Sequence, residues 1–193
     1  MSEQKKKIIS AARNLFQTKG FSETSMNQII EAAQSSKGNL YHHFKNKENL
    51  FVYILEEDAN QWLKDWKIEA EKKQNNSNHI LYTLSEFVAK SSVNLYYHKA
   101  TEEFYLSAFK SDEVMKKIKN IDKLYLDFFV DIIKECQTSK QINQNEDPSV
   151  LGYFLMSLLF ISSDYKHYYD DFEENENNFH KKAIDIFLNG VRR

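Results

Sequence analysis

Between Ser35 and Phe44 almost every side chain can donate or accept a hydrogen bond: Ser35, Ser36, Lys37, Asn39, Tyr41, His42 and His43. The run is interrupted by Gly38 and by an apolar pair, Leu40 and Phe44, set four residues apart. That spacing predicts a short helix with Leu40 and Phe44 turned inward and Lys37, Asn39, Tyr41 and His42 turned outward. Lysine, serine, tyrosine and histidine suit phosphate oxygens, and lysine and asparagine can also meet guanine and adenine edges. Gly38, with no Cβ, lets the backbone itself approach a base. Upstream, Thr24 and Ser25 offer hydroxyls and helix N-terminal amides to a phosphate; downstream, Lys47 offers an ammonium. The chemistry these residues suit is recognition of double-stranded DNA. Lys37, Gly38 and Asn39 would face base edges, with Thr24, Ser25, Ser35, Ser36, Tyr41, His42 and Lys47 gripping the backbone around them.

A helix of one and a half turns cannot persist alone in water, so neighbouring elements must brace it. Lys5 to Lys19 reads as a helix with Ile8, Ala11, Ala12, Leu15 and Phe16 on one stripe, and Gly20 ends it as a residue that tolerates a left-handed cap. Ser25 with Gln28 three residues on fits a capping box for a second helix, which buries Met26, Ile29, Ile30 and Ala33 and ends near Ala33. Gln34-Ser35-Ser36 is a short turn, and Asn46 is the N-cap of whatever follows, with Glu48 in its first turn. Two short helices joined by a three- to four-residue turn, the second polar outward and a third helix bracing them, is the helix-turn-helix arrangement.

The remainder is helical throughout. Expected helices cover residues 47–73, 79–97, 101–110, 112–137, 150–169 and 178–191, separated by polar loops, with Pro148 suited to a first helical turn. The fold class is therefore all-α, of about nine helices. A three-helix DNA-binding domain occupies residues 1–46, and a larger helical effector-binding and dimerisation domain occupies 47–193. Four Gly and one Pro leave little to punctuate strands or hairpins. Residues 1–50 hold eight Lys/Arg against four Glu, and the rest holds eighteen against twenty-four acidic residues; a basic end on an acidic body suggests that this end meets a polyanion. The single cysteine, Cys136, rules out a disulfide framework and fits a reducing cytoplasm. The N-terminus lacks a signal peptide's apolar segment, and the most apolar run, Val150 to Ser163, falls short of the roughly 20 residues a membrane span needs. No membrane partner is expected. The six histidines are scattered, and His42 and His43, being adjacent, diverge on a helix rather than forming the i, i+4 pair suited to zinc. No phosphate-binding glycine loop is present, and Cys136 has no neighbouring histidine. No catalysis, metal or cofactor is expected.

The body carries a second constellation. Trp62 and Trp66 lie four apart, with Glu57 and Asp58 a turn earlier; Tyr97, Glu102, Tyr105, Asp122 and Tyr125 place more rings and carboxylates on other helices. Ring faces and buried carboxylates suit an organic cation through cation–π attraction and charge neutralisation. The same residues fit an ordinary aromatic core with solvated acids, and both readings stand. The almost uniformly apolar stretch from Val150 to Tyr169 needs partners on two sides, which its own body and a second subunit would supply in a four-helix dimer bundle.

The run Ser36-Lys37-Gly38-Asn39-Leu40-Tyr41-His42-His43-Phe44-Lys45-Asn46-Lys47-Glu48-Asn49-Leu50 resembles the signature of TetR-family transcriptional regulators, departing from it where Gln34 takes a turn position at which the family often has Gly. The likeness is to multidrug-sensing repressors within that family. It implies a homodimer that binds a palindromic operator and is released by a small molecule, a lipophilic cationic drug, so controlling an efflux-type gene. It also implies that Trp62, Tyr105, Asp122 and Tyr125 line the effector pocket. The alternatives are a regulator of the same type sensing a neutral or anionic metabolite or lipid, and a DNA-binding protein with no effector.

Overall fold

The computed structural model of the chain describes residues 1–73, 80–91, 98–108, 111–165 and 176–191. These form nine helices: α1 Glu3–Lys19, α2 Met26–Ala32, α3 Lys37–His43, α4 Lys47–Lys73, α5 Ile80–Lys90, α6 His98–Ala108, α7 Asp112–Thr138, α8 Pro148–Tyr165 and α9 Glu176–Val191. No strand occurs among the described residues, and no described helix is long and apolar enough to cross a membrane. The all-α expectation holds. Pro148 opens α8, where its missing N–H has no helical partner to lose.

The chain divides into two compact units, Met1–Ala59 with Tyr96–Ile121, and Asn60–Leu95 with Asp122–Arg193. The first unit contains α1, α2, α3, the start of α4, α6 and the start of α7. Its core is Ile8, Ile9, Ala12, Phe16, Phe21, Ile29, Leu40, Phe44, Leu50, Phe51, Ile54 and Phe104, each buried. Four phenylalanines meet at its centre, with the Phe51 ring 4.8 Å from both Phe16 and Phe104 and the Phe21 ring 5.1 Å from Phe104. Aromatic pairs at such separations add to the burial of the rings themselves.

Local chemistry sets the helix boundaries in this unit. Ser25 caps α2 with the full reciprocal box, its hydroxyl accepting from the Gln28 N–H while the Gln28 side chain accepts from the Ser25 N–H. Asn46 accepts from the Asn49 N–H at 2.8 Å at the head of α4. At the end of α2, Ser35 N–H donates to the Ile30 carbonyl and Gln34 N–H to the Glu31 carbonyl, both at 3.0 Å, which is the Schellman closure. That closure needs a left-handed residue, and Gln34 supplies it at φ 49°. The turn position at which the family often has Gly is thus a position of positive φ, held here by a residue with a Cβ.

The second unit packs α5, α8 and α9 on one another and on parts of α4 and α7. Its core includes Trp62, Trp66, Leu81, Leu84, Val88, Phe129, Ile133, Cys136, Leu155, Leu159, Ile184 and Leu188. Burial pushes the Cys136 thiol up to about 12, so it is an inert core residue. The α7–α8 crossing is close: a Cβ placed on Gly152 would lie 2.8 Å from a Val130 methyl and 2.9 Å from the Val130 backbone nitrogen. On α8, Leu151, Leu155 and Leu159 are buried, whereas Val150, Tyr153 and Phe154 are 50, 57 and 60 % exposed. These three residues leave part of the apolar surface of α8 exposed.

Two stability measurements follow from this geometry. Gln34→Gly relieves a left-handed strain of about 1–2 kcal/mol while adding freedom to the unfolded chain, for a net stabilisation of roughly 0.5–1 kcal/mol in urea unfolding; a loss of stability would contradict the strain. Gly152→Ala forces a methyl into the α7 backbone and should destabilise by about 1–3 kcal/mol, read as a lower urea midpoint at unchanged slope.

Candidate functional site

Of the residues expected to turn outward on α3, Lys37, Tyr41 and His42 are exposed, and Asn39 is half-buried. Ser36 is the N-cap of α3, its hydroxyl accepting from the Asn39 N–H at 3.1 Å. Leu40 and Phe44 are buried, and Lys37, Gly38, Tyr41 and His42 are exposed. Nothing lies within 4 Å of where a Cβ on Gly38 would sit, so the backbone there is open to an approaching partner. The Lys37 ammonium lies 5.9 Å from the Tyr41 ring, so the two share one face of α3. Asn39 is half-buried and its side-chain amide donates to the Ser35 hydroxyl at 3.1 Å, which fixes both residues across the start of α3. Ser25 is exposed at the head of α2.

Thr24 and Lys47 sit differently from the rest. Thr24 is buried, and its hydroxyl donates to the Gly20 carbonyl at 2.7 Å. Lys47 is half-buried, its ammonium donating to the Phe21 carbonyl at 2.6 Å and lying 4.3 Å from the Phe21 ring. Burial holds that ammonium below the ordinary lysine value, with Glu48 and Glu103 pulling the other way. Both residues hold the α1–α2 turn in this arrangement.

In the second unit a cluster of rings surrounds the tryptophans. The Trp62 ring lies 5.1 Å from Phe87, 5.5 Å from Tyr125, 5.1 Å from Phe128 and 6.0 Å from Phe160, while Trp66 lies 5.5 Å from Phe87 and 5.7 Å from Phe128. The Trp62 indole N–H donates to the Ser91 hydroxyl at 3.0 Å, and that hydroxyl donates in turn to the Val88 carbonyl at 3.0 Å. The structure therefore brings Trp62, Trp66 and Tyr125 together and adds Phe87, Phe128, Phe129, Phe160 and Ser91 from helices α5, α7 and α8 and the residue after α5. Asp122 is exposed, one turn before Tyr125 on α7.

The remaining predicted ligand residues belong to the first unit or are not described. Glu57 and Asp58 face α1: Arg13 donates to Asp58 in a short contact and to Glu57 at 3.4 Å, and the Tyr53 hydroxyl donates to Glu57 at 2.8 Å. Burial raises the Asp58 carboxyl above the usual range despite the guanidinium beside it. On α6, Glu102 is exposed and Tyr105 half-buried beside Phe104. Tyr97 lies outside the described residues. Arg13 could not be foreseen, because its carboxylate partners stand 44 and 45 positions away.

Residues 8–54 match the sequence pattern of bacterial regulatory proteins, tetR family, and residues 58–193 match that of the QacR-like protein, C-terminal region. The chain is 34 % identical to the HTH-type transcriptional regulator QacR of Staphylococcus aureus over 131 residues, covering 68 % of this chain and 69 % of that protein. It is 23 % identical to the HTH-type transcriptional regulator UidR of Escherichia coli over 154 residues, 80 % of this chain and 76 % of UidR. Among solved structures, the transcriptional regulator FadR of Bacillus subtilis in complex with stearoyl-CoA superposes with TM-score 0.76 at 19 % identity, covering 97 % of this chain and 99 % of that one. Salmonella enterica GusR superposes with TM-score 0.76 at 21 % identity, covering 100 % and 99 %. At these identities the two structures speak to the fold alone. The helix-turn-helix geometry of α2 and α3 and the similarity along both parts of the sequence lead to one conclusion: the chain belongs to the TetR family of DNA-binding transcriptional regulators.

Proposed function

We propose that the protein is a homodimeric repressor that lays α3 in the major groove of a palindromic operator and leaves it when a lipophilic organic cation binds the body, so controlling an efflux-type gene. The observation that carries the DNA half is the exposed face of α3, where Lys37, the open Gly38 backbone, Tyr41 and His42 follow the capped start at Ser36. Lys37 and Gly38 meet base edges; Tyr41, His42, Ser36 and Ser25 meet phosphates, with Ser35 and Asn39 holding the start of the helix. The dimer half rests on the uncovered Val150, Tyr153 and Phe154 of α8, with Ile186 of α9 exposed as well. Two copies of that face meeting about a two-fold axis would form a four-helix bundle. Paired reading heads would then meet a palindrome.

For the effector, the ring cluster about Trp62, Trp66 and Tyr125 offers π faces to a cation, and Asp122 stands one turn before Tyr125 on α7. The QacR-like sequence of residues 58–193 supports the same class. A second reading is favoured by the ion pairs of Arg13, which engage Glu57 and Asp58. With those carboxylates committed, the rings and Ser91 alone would suit a neutral apolar effector.

The duplex upstream of the protein's own gene tests the DNA half. Lys37→Ala with Tyr41→Ala should abolish specific binding in an electrophoretic shift. Lys37→Ala alone should weaken it by about 1–3 kcal/mol and relax base preference at one position. Undiminished binding by the double variant would overturn the assignment. Trp62 and Trp66 are the chain's two tryptophans, so intrinsic fluorescence reports the cluster directly. A quaternary ammonium of drug size should quench it and release the operator, and Asp122→Asn should weaken that response roughly two- to fivefold. Equal quenching by an uncharged analogue, with no effect of Asp122→Asn, would select the neutral effector instead.

A further inference from the structure

The α1–α2 turn, Gly20 to Thr24, is held from outside itself by two charged side chains of the first unit. From α4, Lys47 donates to the carbonyl of Phe21 at 2.6 Å and lies 3.5 Å from that of Ser22. From α6, Glu103 accepts the Ser22 backbone N–H at 2.7 Å, and its side chain is only 22 % exposed. Glu103 also fills the space beside Gly20. That residue has φ 90°, and a Cβ there would stand 2.8 Å from the Glu103 carboxylate. Phe104, next along α6, packs its ring 5.1 Å from Phe21. The turn is thus gripped on its carbonyls by a cation, on its amide by an anion and on its side chain by a ring. Three residues after Ser22, the same turn delivers Ser25, the exposed N-cap of α2.

We propose that Glu103 is a positioning residue for DNA binding: its carboxylate, by holding the Ser22 amide, sets how the turn presents Ser25 and α2 beside α3. A carboxylate hydrogen bond to a backbone amide is among the stronger contacts available, and its geometry is demanding because the acceptor must reach a fixed main-chain donor. The partner cation, Lys99, lies 3.8 Å from the other carboxylate oxygen on an exposed side chain, too loose to explain the placement. The role rests on the reading of α2 and α3 as the DNA-facing surface. It requires no change in what α3 reads, only in how α2 is presented beside it.

Three variants separate reach from charge. Glu103→Gln keeps the acceptor at full length without the charge, Glu103→Asp keeps the charge one methylene short, and Glu103→Ala removes both. Operator affinity is measured by fluorescence anisotropy at a temperature where circular dichroism shows each variant fully folded, alongside the Ser22 amide proton shift. Glu103→Gln should bind within about twofold of wild type, whereas Glu103→Asp and Glu103→Ala should each lose about tenfold, with the Ser22 resonance moving upfield in those two. Wild-type affinity in Glu103→Ala, or full affinity in Glu103→Asp with loss in Glu103→Gln, overturns the positioning role. Failure of the wild-type protein itself to bind the duplex would instead overturn the DNA-facing assignment on which it rests.

Discussion

A seven-residue helix makes too few internal hydrogen bonds to offset the entropy of ordering it, and α3 is seven residues long. Much of the first unit follows from that constraint. Leu40 and Phe44 anchor one side of α3 in the core, Ser36 accepts from its Asn39 amide, and the Schellman closure at Gln34 fixes the angle at which it leaves α2. The exposed face can then be almost wholly polar, since none of its residues is needed for folding. A surface freed from structural duty in this way is one on which sequence can change without loss of the fold.

The same unit shows why electrostatics here is better read as positioning than as stability. Arg13, Lys47 and Glu103 are each partly buried and each engages a specific partner: two carboxylates, main-chain carbonyls and a main-chain amide. Partly buried charges gain little net energy, because desolvation offsets attraction. What they fix is geometry: α1 against α4, and the α1–α2 turn against α4 and α6.

Local chemistry was the legible part of the sequence. The capping box at Ser25 and Gln28 and the cap at Asn46 act over three residues and were readable from spacing. The length of α4, Lys47–Lys73, was readable from the absence of any breaker. Long-range pairing was not. Glu57 and Asp58 were grouped with Trp62 because they stand a turn away, yet their nearest cation comes from α1. The meeting of Phe87, Phe128, Phe129 and Phe160 about Trp62 is not legible in the sequence, because periodicity tells that a ring is buried, not which ring it meets. Gln34 stood out as a departure from a familiar pattern, but only its backbone angle gives the reason.

The uncovered apolar face of α8 has a genetic consequence if it pairs as proposed. The residues that would pair, Val150, Tyr153 and Phe154, are far in sequence from those that would read DNA, on α3. A copy damaged only in α3 would still find a healthy partner, and the mixed pair would carry a single working reading head. In a cell holding both alleles the damaged copy would then be dominant over the intact one, silencing it by partnership rather than by competition for the operator.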